Sequence, residues 1–260
     1  MSYEEIKYKR NFLDTVIFRM DFSDILTLKD KIEADFQTAI KDIFPKLISN
    51  AYSTYTGMFS ATALNVGREN LLLHEFSNTS LGLSLKISYN SLVLEAKNYT
   101  DFEKFSEILQ KSLAEFNKIY SGYEISRIGL RFINVIKGLT ESPFEWSDFI
   151  NSKLLESLTF AKDIVSDDCF LNRSMNQLSF KFKDDNCLTF NYGIYNSEWP
   201  AQITRNEFIL DYDAYTTYVD SSENIESKYL LPFHSIIQDA FEKSINITLR
   251  KKMNNADEPW

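Results

Sequence analysis

Residues 92–99 align with residues 208–215 without a gap, pairing Leu92 with Phe208, Leu94 with Leu210, Glu95 with Asp211 and Tyr99 with Tyr215. Residues 105–110 align with 233–238, residues 83–91 match 188–197 to within one residue, and Phe18-Arg19 matches Leu130-Arg131. Such self-similarity constrains a fold more than composition does, because each copy must form the same structural unit.

Hydrophobic spacing gives both halves one order of elements. Val16, Phe18, Met20 and Phe22 alternate as in a half-buried strand. Leu28, Ile32, Phe36, Ile40 and Phe44 recur every four residues and predict an amphipathic helix over 28–44, stopped by Pro45. Four strands are expected at 52–63, 70–76, 81–89 and 91–99. A helix capped by Asp101 follows, with Phe102, Phe105, Leu109, Leu113 and Phe116 on its inner stripe.

The order then restarts with a strand over 127–135 that sets Ile128, Leu130 and Phe132 on one side. A helix over 143–158 is expected, with Ser142 as cap and Pro143 in the first turn. Strands at 169–175, 177–183, 187–195 and 207–215 follow. One long helix over 225–253 closes the chain, with Leu230, Phe233, Ile237, Phe241, Ile245 and Leu249 inside, and residues 254–260 carry no pattern. Each half is thus a β-α-β4-α unit, residues 1–122 and 123–260. The fold class is α+β, one compact pseudo-symmetric domain.

That order resembles the duplicated TATA-box-binding protein fold. The resemblance implies a curved antiparallel sheet with helices on one face. In that fold the first strand of each half lies beside the last strand of the same half, and the halves meet through their first strands. It is a likeness of topology and transfers no function. The segments 127–134 and 209–213, with His234 and Phe241-Glu242 on the last helix, also resemble a sporadically distributed prokaryotic family of uncharacterised function. Its patchy occurrence is similar to that of mobile, defence-associated genes.

Composition narrows the functional classes. Of 260 residues 44% are hydrophobic and 25% charged, with 21 Phe and 14 Tyr, as in a packed soluble protein. No apolar run approaches the roughly 18 residues of a membrane span, and residues 1–12 lack a secretory h-region. Cys169 and Cys187 have no metal-ligand spacing and fit a reducing cytoplasm. A net charge of −9 disfavours sequence-independent nucleic-acid binding, although Arg127, Arg131, Lys181 and Lys183 can form a local basic patch. Neither a P-loop nor a dinucleotide fingerprint occurs, so no cofactor is expected.

Strand alternation sends one set of side chains toward the helices and the other to the opposite face. That face would carry Arg19, Asp21, Ser84, Lys86, Ser88, Glu95 and Lys97 from the first half. From the second it would carry Arg127, Arg131, Lys181, Lys183, Thr189, Asn191, Asp211 and Asp213. The borrowed strand order pairs Arg19 with Glu95 and Arg131 with Asp211. Two readings stand. One is a wet sheet face with weak ion pairs. The other is a recognition surface whose Arg forks take a carboxylate, phosphate or partner acid.

Asp211 and Asp213, two apart on one face, can also reach one hard cation, and Glu207 and Lys181 would complete a metal-dependent hydrolase. His234 lies beside the inner stripe as a hydrogen-bonded boundary residue, and His74 in its apolar strand is structural. Trp199-Pro200 sits in a long loop, 196–206, as an interface anchor or as a loop tucked onto the sheet edge. The leading expectation is a non-catalytic binding or sensing component of an antiviral or mobile-element module, engaging a protein partner or a second copy. The alternatives are a receptor for a small acidic ligand or nucleotide, with Arg19 or Arg131 at the mouth of its pocket, and then the hydrolase.

Overall fold

A computed structural model describes residues 6–59, 64–220 and 223–255. The strands are β1 (Leu13–Phe22), β2 (Lys46–Phe59), β3 (Leu64–Asn78), β4 (Leu83–Ser88), β5 (Ser91–Ala96), β6 (Ile125–Lys137), β7 (Ser174–Phe182), β8 (Asn186–Ile194) and β9 (Glu207–Thr216). The α-helices are α1 (Ala34–Ile40), α2 (Phe102–Ile119), α3 (Glu156–Lys162), α4 (Leu231–Ser244) and α5 (Ile247–Asn254). All nine strands join one antiparallel sheet of order β2-β3-β4-β5-β1-β6-β9-β8-β7. Among the described residues no helix is long and apolar enough to cross a membrane.

The chain forms two compact units. The first comprises Ile17–Ile128 and Thr217–Glu223. Its core gathers on the ring of Phe36, which meets Phe76 edge-on at 5.5 Å and Phe116 at 6.0 Å. Burying one such ring stabilises by roughly 2–3 kcal/mol. Helix α2 starts as expected: the Asp101 carboxylate accepts from the Lys104 N–H at 2.9 Å, and Phe102, Phe105, Leu109, Leu113 and Phe116 are all buried. The expected helix over 28–44 is broken. Leu26–Lys29 is a short 3-10 turn and α1 has only seven residues, yet Leu28, Phe36, Ile40 and Phe44 are still buried. The Glu33 N–H donates to the Tyr120 hydroxyl, a tertiary bond at the position where one continuous helix would use its own carbonyl. The expected strand end at 60–63 lies outside the described residues.

The second unit comprises residues through Val16, Gly129–Thr216 and residues from Asn224 onward. Along β9, Phe208, Leu210, Tyr212, Ala214 and Thr216 are buried. Tyr212 stacks on Phe190 at 4.5 Å and donates to Ser244 Oγ of α4 at 2.9 Å, which fixes the helix-covered side of the strand. The other side carries Ile209, Asp211, Asp213 and Tyr215.

Three expectations for this unit are corrected. Residues 169–175 and 177–183 do not form two strands: a single strand, β7, replaces them, so this half has three strands between its helices against four in the first. Residues 143–158 are not one helix. Ile150 bridges Ile245, the Asn151 N–H donates to Ser244 O, and the Asn246 N–H donates to Phe149 O. Asn246 Nδ2 also donates to Ser147 O and Ile150 O. These tertiary partners hold the segment open, and a 3-10 turn at Ser152–Leu154 and the start of α3 are its helical parts. The same pairing splits the expected 225–253 helix, because Ile245 must be extended (φ −112°, ψ 152°) to meet Ile150. Residues 226–230 wind as a π-turn before α4. The patternless tail beyond residue 255 lies outside the described residues.

Candidate functional site

Directly opposed residues on β7, β8 and β9 line the side of the second unit away from α4. The register sets Gln177 opposite Asn191 and Asn191 opposite Asp211. Their side chains are bonded in series. Gln177 Nε2 donates to Asn191 Oδ1 at 2.8 Å, and Asn191 Nδ2 donates to Asp211 Oδ2 at 3.2 Å. Arg131, on β6, closes the row with a two-pronged fork: Nε to Oδ1 and Nη2 to Oδ2, both 2.7 Å. The row therefore crosses four strands. Ser179, Thr189 and Asp213 form a parallel row beside it, and Lys181, Cys187 and Tyr215 a third.

The fork brings Arg131 and Asp211 together as the sequence expected. Asp211 is 6% exposed although it points away from the core, because its neighbours enclose it. Hydrogen bonding to Asp211 raises the Arg131 pKa, burial opposes this, and the charges of Asp211 and Asp213 add to the rise. The Arg131 side chain keeps 42% of its surface in water, and its Nη1 donors have no partner among the described residues. An arginine held by one carboxylate can use its free edge to bind a second acid.

Three of the Asp211 carboxylate's roughly four lone-pair positions are occupied. Among the described residues no three His, Cys, Asp or Glu side chains converge as metal ligands. Two grooves of the second unit, about 420 and 340 Å3, are lined by neither Arg19 nor Arg131.

The other candidates are placed as follows. Arg19 does not meet Glu95; it bonds Asp21 on its own strand at 2.8 Å, while Lys86 takes Glu95 at 2.7 Å. Each charge has another partner at hand: Lys86 lies diagonally across β4–β5 from Glu95, whose direct partner is Ser84, and Asp21 is two residues along the face from Arg19. Both pairs are partly exposed and worth about 0–1 kcal/mol. Arg127 is half-buried on β6 in the first unit. Lys181 faces Asp185 across 3.4 Å of solvent-exposed surface. Lys183 is off the sheet face, because residues 183–185 form the turn between β7 and β8. Ser88 is buried against Ser91.

Trp199 is 57% exposed. Its loop is tied down by Asn196 Nδ2, which donates to Asn172 O and Ala201 O, and by Asn172 Nδ2, which donates to Pro200 O. His234 is not a boundary residue: it is buried against Phe132 at 5.4 Å, and burial lowers its pKa to about 3. His74 is buried and its Nδ1 shares a 2.9 Å bond with Ser49 Oγ. Gln177 is the member of the polar row that face-by-face reading missed. Its parity with Ser179 and Lys181 on one strand is the signal that finds it.

No family model matches this sequence, and neither does any curated protein.

Proposed function

We propose that the protein is a non-catalytic binding and sensing component that recognises a protein partner through the polar side of β6, β9, β8 and β7. The observation that carries this reading is the row Gln177–Asn191–Asp211–Arg131, a set of donors and acceptors fixed in register across four strands. Preorganised polar groups bind without first losing side-chain freedom. Arg131 offers a remaining guanidinium edge to an acidic group, and Asp213 and Lys181 give the surface the mixed sign that suits a complementary partner. An antiviral defence or mobile-element module is the setting that the sequence resemblance implies.

The reading includes a tandem ancestry of the TATA-box-binding type, with a curved sheet backed by helices. Three strand adjacencies support it: β1 lies beside β5, β6 beside β9, and β1 beside β6. The second copy would then have merged two strands into β7.

The test is co-purification with the products of adjacent genes, comparing wild type with Asp213→Lys and Lys181→Glu. A complex that forms with wild type and is lost in these variants, at unchanged melting temperature, supports the proposal. A complex that neither variant disturbs, or the absence of any complex, counts against it.

A further inference from the structure

The groove of about 420 Å3 in the second unit is lined by the β7–β8 turn, the π-turn and α4. Small-ligand sites run to roughly 300–1,000 Å3. One polar side chain sits here where the strand pattern calls for a core residue. Along β8, Leu188, Phe190 and Ile194 are buried on the helix-covered side. Asn186 shares their parity and lies directly opposite Phe182, whose ring meets Phe233 of α4 at 6.2 Å. Asn186 is 5% exposed. Its backbone N–H is spent on Lys183 O, and its carboxamide has no hydrogen-bond partner among the described residues. A buried amide without a partner costs stability. Because Asn186 lines the groove, a bound molecule can supply the partner that the fold does not.

The rest of the lining narrows what that molecule is. Phe182, Pro232 and Ile236 give the groove apolar walls. Lys183 is exposed, and its ammonium makes no bond among the described residues. Lys228, on the π-turn, stands 3.7 Å from Asp184, beyond hydrogen-bonding distance, so its ammonium donors are unspent. Of the two acids in the lining, Asp239 is held by Lys243 at 2.6 Å, which leaves Asp184 alone against two lysines. A π-turn frequently marks a functional site.

The geometry points to a nucleotide site, with a base between the apolar walls on Asn186 and a phosphate on Lys183 and Lys228. A carboxamide presents a donor and an acceptor side by side, and the edge of a nucleobase presents the matching acceptor and donor. A simple anion offers only acceptors and leaves the Asn186 oxygen without a donor. A neutral ring leaves both lysines unused. The sequence has no phosphate loop, so the phosphate is held by side chains. The groove is on the helix-covered side of the sheet, away from the polar row, and the inference does not rest on partner recognition.

Thermal melting and titration calorimetry of the full chain with AMP, GMP, CMP and UMP test the site. At about ten times its Kd, at least one of these should raise the melting temperature by roughly 2–4 °C. Inorganic phosphate, ribose 5-phosphate and the free nucleosides, each lacking base or acid, should bind at least about tenfold more weakly. Asn186→Leu keeps the side-chain shape and removes the unbonded amide. It should leave the melting temperature of the free protein unchanged or raised and weaken nucleotide binding about tenfold. Lys183→Glu, at an exposed position, should weaken binding by about as much. The absence of binding by all four nucleotides overturns the inference. So does inorganic phosphate binding as tightly as they do, which would make this an anion site only, and so does a nucleotide Kd that both Asn186→Leu and Lys183→Glu leave unaltered. A lowered melting temperature of free Asn186→Leu would give Asn186 a structural role and overturn its assignment to the base.

Discussion

Arg131 and Asp211 are joined across neighbouring strands by two N–H···O bonds of 2.7 Å each, and the carboxylate is nearly enclosed while the guanidinium remains partly in water. Removing the arginine alone leaves an enclosed charge with only Asn191 as donor. Arg131→Ala should therefore lower the unfolding free energy by about 1–2 kcal/mol, less than a fully buried pair because solvent screens the exposed partner. Arg131→Lys should recover part of that but not the fork. Urea unfolding of the two variants checks the order.

His234 gives the protein an acid-sensitive stability. Burial holds its pKa near 3, below the usual 6.5. Above pH 6.5 neither the folded nor the unfolded chain protonates it, and stability is at its full value. As pH falls below 6.5 the unfolded chain takes a proton that the fold refuses, so stability is lost until the pH nears 3. The slope is up to about 1.4 kcal/mol per pH unit. His74, whose pKa is also lowered by burial, adds to the loss in the same direction. His234→Phe should reduce the difference between unfolding at pH 7.5 and at pH 5 by up to about 2 kcal/mol. An unchanged difference would contradict the burial of this ring.

Tyr212 separates ring from hydroxyl. Its phenol is fully buried, and its pKa is raised chiefly by that burial. Tyr212→Phe removes only the bond to Ser244, whose own hydroxyl still donates to Ala240 O at 2.8 Å. The expected cost is about 1 kcal/mol. Tyr212→Ala also empties the stack on Phe190 and should cost about 3–5 kcal/mol. Thermal and urea midpoints of the pair of variants distinguish the two contributions.

Asn246 holds apart two segments that would otherwise wind into longer helices. Its side chain donates to Ser147 O at 2.7 Å and to Ile150 O at 3.0 Å. Asn246→Ala should cost about 1–2 kcal/mol, chiefly because the half-buried Ile150 carbonyl loses its donor, while the exposed Ser147 carbonyl turns to water. Hydrogen exchange should speed up first in residues 147–151.

That contrast shows what the sequence makes legible. Periodicity finds elements whose backbone bonds are local or paired in simple register: α2 with its Asp101 cap, and β1, β6 and β9 with alternating buried residues. It fails where long-range bonds replace local ones. The stripe over 143–158 is apolar enough for a helix, yet its carbonyls are taken by residues nearly a hundred positions away. The same is true of the candidate site. Arg131 with Asp211 follows from alternation plus strand order. Arg19 with Glu95 does not, because alternation and strand order leave several opposite charges within reach on one face, and Asp21 takes Arg19 while Lys86 takes Glu95. Gln177 is uncharged and so escapes a reading led by charge; its parity with Ser179 and Lys181 sets it on the polar face, and the register of β7 on β8 brings it into the row.

Hydrogen exchange on the complex with the product of an adjacent gene tests partner recognition most directly. The account predicts slowed exchange in β6, β8 and β9 around Arg131, Asn191 and Asp211, abolished by Asp213→Lys. Protection confined to other strands, or a complex that survives Asp213→Lys with its exchange pattern unaltered, would contradict it.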